Sequence, residues 1–153
     1  MAIPNEFEAI RGRLLKSYDS RTITHGGYII ALMVGFLTLV SRWEAFAETI
    51  FLLYFLFSLV ISLGVYLVSR IIFWSLLAYG TLFVTENEVR APEIEGNTVI
   101  GRMQNTVLRR ARTSNLRHHR FALFCNDNKI LLLIIVFAIA FMGCLVLHCY
   151  LYV

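Results

Sequence analysis

The side chains best suited to holding a ligand crowd into one stretch. Arg109, Arg110, Arg112, Arg117 and Arg120 fall close together, with His118 and His119 among them. A planar guanidinium fork matches phosphate oxygens two at a time, so lipid head groups, nucleotides and nucleic acids are all chemically suitable partners. No patterned aromatic platform or nucleic-acid motif accompanies the arginines, and no dedicated nucleic-acid binding is expected. Anionic lipid is the expected contact, and the same charges are expected to set topology.

A second group, Cys144, His148 and Cys149, lies near the C-terminus. Positions 144 and 148 are one helical turn apart, a spacing that can hold a metal. Cys149 is rotated about 100° from His148 at the usual helical pitch, and no fourth ligand is visible. Neither a metal nor a cofactor is expected here. His25, at the edge of the first apolar block, receives the same reading. Cys125 joins the other cysteines without CxxC spacing, and the three are read as lone thiols in apolar surroundings. The segments expected to span the membrane contain no acids, and no GxSxG, P-loop or HExxH motif occurs. The chain is therefore not expected to be an enzyme.

What must position these residues is membrane architecture. Of 153 residues, 58% are hydrophobic and 16% charged, against roughly a quarter charged in soluble domains. The mean hydropathy is +0.69. Apolar residues gather in blocks at 24–40, 46–84 and 130–153, and charge gathers in 1–23 and 85–129. Such segregation predicts an all-α polytopic membrane protein with three transmembrane helices, the second long and extending into the cytoplasm, plus short amphipathic cytoplasmic helices. Residues 27–40 with Ala45, Phe46 and Ala47 also fit a signal peptide, but charges spread from Glu6 to Arg21 argue for a retained span.

Along the chain, residues 1–23 predict an amphipathic cytoplasmic helix with Ile3, Phe7, Ile10 and Leu14 on one face, Leu15 and Tyr18 beside them and Pro4 in its first turn. It is expected either on the membrane interface or on the protein's own cytoplasmic helices. Residues 24–84 predict a transmembrane hairpin. Its first helix carries Gly27, Ala31 and Gly35 at every fourth position, a stripe that permits close helix packing in lipid. Its second carries Tyr54, Ser58, Ser62 and Tyr66 on one face, suited to interhelical hydrogen bonds or to a pore lining. Residues 41–49 connect the two, with Trp43 at the interface. Residues 85–129 predict a basic cytoplasmic segment, looped near Pro92 and Gly96, helical over 98–113, and broken at Asn126, Asp127 and Asn128. That helix has an apolar stripe of Val99, Ile100, Met103, Val107, Leu108 and Ala111. Residues 130–153 predict the last transmembrane helix.

The apolar block before residue 85 allows two arrangements. One is a span ending at Arg70 that continues as a helix; the other is two short spans with a turn at residues 62–64 and Arg70 inside the bilayer. Basic residues decide for the first. Residues 1–23 hold Arg11, Arg13, Lys16 and Arg21, and residues 85–129 hold eight more, so an even number of spans between them keeps both cytoplasmic. A centrally buried arginine costs about 2.5–3.5 kcal/mol on insertion scales, whereas at the boundary Arg70 snorkels. The expected protein resides in the cell or inner membrane, N-terminus cytoplasmic and C-terminus outside.

This topology leaves residues 71–84 apolar beyond the bilayer, so something must cover them: the N-terminal helix, the 98–112 region, another subunit or the head-group layer. The expected function is structural or accessory, with spans assembling as a homo-oligomer or with other membrane subunits and a basic surface facing the cytoplasm. The alternative is an oligomeric pore or membrane effector lined by Tyr54, Ser58, Ser62 and Tyr66.

Overall fold

The computed structural model describes residues 5–90 and 98–152, apart from the Ala47 side chain. Ile3, Pro4, Pro92 and Gly96 therefore lie outside the described residues. Within them the chain is all-helical: α1 (Glu6–Ser41), a 3-10 segment (Trp43–Thr49), α2 (Ile50–Leu82), α3 (Glu86–Arg90), α4 (Val99–Thr113), α5 (Arg117–Asp127) and α6 (Lys129–Tyr152). Helices α1, α2 and α6 are long and apolar enough to cross a membrane, which points to a membrane location.

Residues 1–23 do not form a separate helix. From Glu6 the chain runs as one helix of 36 residues into the first apolar block, about 54 Å at the usual rise. No proline interrupts it, and Gly26 and Gly27 each cost only about 1 kcal/mol relative to alanine. Likewise α2 passes through Ser62 and Gly64 without a turn for 33 residues, about 50 Å. Opening backbone hydrogen bonds in lipid costs several kcal/mol for each unsatisfied group, so one glycine is too weak to force the turn. The 24-residue α6 is about 36 Å long.

The 3-10 segment joins α1 and α2 at one end, and both helices are longer than the ~30 Å hydrocarbon core of a bilayer. Helix α2 is central, with α1 along one side and α6 along another. No residue of α6 is buried within the chain, and the buried residues of α1 all lie in its first half: Phe7, Ile10, Leu14 and Tyr18.

At the end away from the 3-10 segment the chain builds a helical head. The four buried α1 residues meet Phe73, Trp74, Leu76 and Leu77 of α2, with Val89 of α3, Met103, Val107 and Ala111 of α4, and Ala122 and Leu123 of α5. One face of the 71–84 extension is thus covered from within, by the N-terminal helix, the 98–113 helix and α5, while Ile72, Tyr79, Leu82 and Phe83 stay exposed. The amphipathic α1 start packs on the protein's own helices, and burial of its four apolar side chains is what fixes it there.

Each head helix has a local cause. Thr98 caps α4, its hydroxyl accepting from the Gly101 N–H at 3.2 Å. The buried positions Met103, Thr106, Val107 and Ala111 recur at helical spacing, with Thr106 inside and Ile100 outside the expected stripe. Asn5 donates to Glu86 at 2.8 Å and so ties the start of α1 to α3. Arg11 donates to the Val84 carbonyl at the end of the long helix.

Candidate functional site

The five arginines of the basic stretch occupy α4 and α5, and the fold itself engages three of them. Arg110 pairs with Glu88 and donates to the Phe83 carbonyl at 2.9 Å. Arg112 lies 3.7 Å from Asp127, and Arg120 donates to the Ser114 carbonyl at 3.2 Å. Arg109 and Arg117 are exposed and have no ion-pair partner among the described residues. The stretch is therefore a surface on two helices rather than one converging site.

Histidines mark where this surface turns inward. The rings of His118 and His119 meet edge to face at 4.3 Å between centroids. His119 is half-buried, and burial first, then the neighbouring His118, holds its pKa below the usual histidine value. Both line a cavity of about 530 Å³ between α2 and α5, with Ile72, Ser75, Leu76 and Tyr79 opposite. Sequence reasoning noted these histidines only as companions of the arginines. The cavity depends on how α5 lies against α2, which no local pattern encodes.

Farther along α2, Arg70 donates to the Asn126 Oδ1 at 2.5 Å and lies over Phe73 and Trp74 at 5.2 and 5.1 Å. Arg21 covers Trp74 at 4.4 Å, and Tyr18 stacks on the same indole at 5.7 Å. Two cations thus meet the aromatic faces of one tryptophan, a contact that strengthens when desolvated. Tyr18 accepts a hydrogen bond from Gln104 at 3.1 Å, and burial raises its pKa.

In the spans, the predicted packing residues divide. Gly27, Ala31 and Gly35 are exposed, and a Cβ added at either glycine meets nothing within 4 Å. The stripe therefore takes no part in the α1–α2 contact. Ser58 and Ser62 are buried instead. Ser62 donates to the Leu133 carbonyl of α6 at 2.8 Å, and Ser58 donates to the Tyr54 carbonyl of its own helix at 2.7 Å. Tyr54 shares a hydrogen bond of 2.8 Å with His148 Nδ1, so this polar stripe faces α6. His148 thus has a partner that its cysteine neighbours did not suggest. Among the described residues no three His, Cys, Asp or Glu side chains gather as metal ligands.

No protein family, curated protein or solved structure matches the chain.

Proposed function

We propose that this is a non-catalytic, structural or accessory membrane protein with three spans, its N-terminus and basic head in the cytoplasm and its C-terminus outside. The head rests its arginine-bearing surface on anionic lipid, and the outer faces of the spans assemble with another copy or with other membrane subunits. One observation carries the reading: α1 and α2 overrun the bilayer length at the same end, where the basic head is folded. The other end has only a short connection with Arg42, Glu44 and Glu48. That asymmetry is what the positive-inside rule translates into a cytoplasmic head.

Support for assembly comes from Gly27, Ala31 and Gly35, which lie on an exposed face of α1 with open space above them. In lipid, such a face favours close helix approach. The test is the oligomeric state in mild detergent before and after Ala31→Ile. We expect an oligomer that the substitution shifts toward monomer; a monomer in both proteins would sink the assembly reading. The pore alternative has less support, since Ser62 and Tyr54 are turned to Leu133 and His148 of α6. Single-channel conductance abolished by Ser58→Leu with Ser62→Leu would restore it.

A further inference from the structure

We propose that the trough between α2 and α5 binds one anionic phospholipid of the adjoining leaflet, its tail along α2 and its phosphate beside His118 and His119. The inference rests on the membrane reading above and adds a defined site to it.

Three depressions run end to end along one side of α2. The first, about 350 Å³, lies in the spanning half, where Ile61, Gly64, Val65 and Val68 face Phe121 of α5. Gly64 has open space where a side chain would stand, which helps to form the trough. Ile72 belongs to this depression and to the next, the 530 Å³ cavity of Ser75, Tyr79, His118 and His119. The third shares Tyr79 and His119 with the second and ends at Arg110. The two larger volumes fall in the range of about 300–1,000 Å³ that ligand clefts occupy.

Chemistry changes in one direction along this trough. The spanning end is apolar, the middle gains hydroxyl and imidazole groups, and the far end reaches the Arg110 guanidinium, which Glu88 pairs. No acidic side chain lines any part of it among the described residues. Arg117 and Arg120 extend from the same short helix as the histidines. An apolar trough open to lipid at one end and flanked by the charges of Arg117 and Arg120 at the other complements an amphiphile with an anionic head. A second copy fits less well. Copies share one orientation in a membrane, so a two-fold axis along its normal would set the basic α5 against itself.

The position of the polar end adds a constraint. Tyr79 is nine residues beyond Arg70 in α2, about 13 Å along the helix. A head-group layer is only about 5–8 Å thick on each side. The bound lipid is therefore drawn outward along the head, beyond the plane of its neighbours.

The test is native mass spectrometry of the full chain in mild detergent with phosphatidylglycerol or phosphatidylcholine added. We expect one phosphatidylglycerol retained about tenfold better than phosphatidylcholine, the discrimination given by two nearby cationic side chains. Ile72→Trp, which fills the trough, and the double change His118→Ala with His119→Ala should each abolish that preference. The histidine pair, at the edge of the head, keeps the test decisive if Ile72→Trp does not fold. Arg13→Ala with Lys16→Ala, exposed on α1 and not among the residues that line the trough, should leave the preference intact. Equal retention of both lipids would overturn the proposal. So would a preference lost with the Arg13 and Lys16 changes and kept in the trough variants. Release of the chain from membranes by alkaline carbonate alone would instead overturn the membrane reading on which the site rests.

Discussion

Gly80 of α2 sits where α4 comes closest. A Cβ built there would meet both methyl groups of Val107, Cγ2 at 3.3 Å and Cγ1 nearer still, and Val107 is only 2% exposed. Overpacking of this kind costs about 1–3 kcal/mol. Gly80→Ala is accordingly predicted to lower the thermal stability of the head, while Gly64→Ala, in open space, should leave it unchanged; a melting curve of each variant decides. Glu88 makes the head sensitive to acid. Its carboxylate accepts from the Thr85 N–H at 2.9 Å and Oγ1 at 3.0 Å and pairs with Arg110, contacts that hold its pKa below the ordinary 4.5. The charged form is favoured in the fold. Its stabilisation is therefore present above that ordinary value and is lost as pH falls through the lowered folded one. Glu88→Gln should flatten the acid limb of the stability curve. An unchanged limb would remove Glu88 from this account. In the spans, Ser62→Ala removes the bond to the Leu133 carbonyl and should cost about 0.6 kcal/mol, the average of interhelical hydrogen bonds in lipid, read as a small shift in unfolding by denaturing detergent.

At the scale of elements, α1 joins the two halves of the molecule, one half in the head and the other along α2. Tyr18 is the key contact: 1% exposed, stacked on Trp74 and bonded by Gln104. Large aromatic truncations cost about 3–5 kcal/mol, so Tyr18→Ala is predicted to loosen the head selectively. Limited proteolysis should then cut at the α4 arginines while α2 and α6 stay protected. The same elements show what could be read from residue order. The long helices announced themselves by apolar runs, and α4 by its period. Helix α5 did not, because Phe121, Ala122, Leu123, Phe124 and Cys125 form an unbroken apolar run without period, and Leu116 offers no capping side chain. The five-residue α3 is too short to show a pattern. Of the candidate site, the arginine chemistry was legible, but not that Glu88, Asp127 and the Ser114 carbonyl would engage Arg110, Arg112 and Arg120. Those partners meet only through tertiary packing. Nor could residue order say which of several partners would cover residues 71–84.

For the whole molecule, the layout we propose is asymmetric: three spans, a folded basic head on the cytoplasmic side, and a short connection with the C-terminus on the other. The helix lengths and the position of the head support the asymmetry, and the charge distribution is the basis for its proposed direction. Assembly through α1 and lipid capture beside α5 both presuppose it. The most direct measurement is labelling of single cysteines in intact cells by a membrane-impermeant maleimide, in a background where Cys125, Cys144 and Cys149 are replaced. Glu44→Cys lies in the exposed connection and Asn105→Cys on the exposed side of α4. The account predicts that Glu44→Cys labels in intact cells and Asn105→Cys only after the membrane is opened. Labelling of Asn105→Cys in intact cells, with Glu44→Cys protected until lysis, would contradict it.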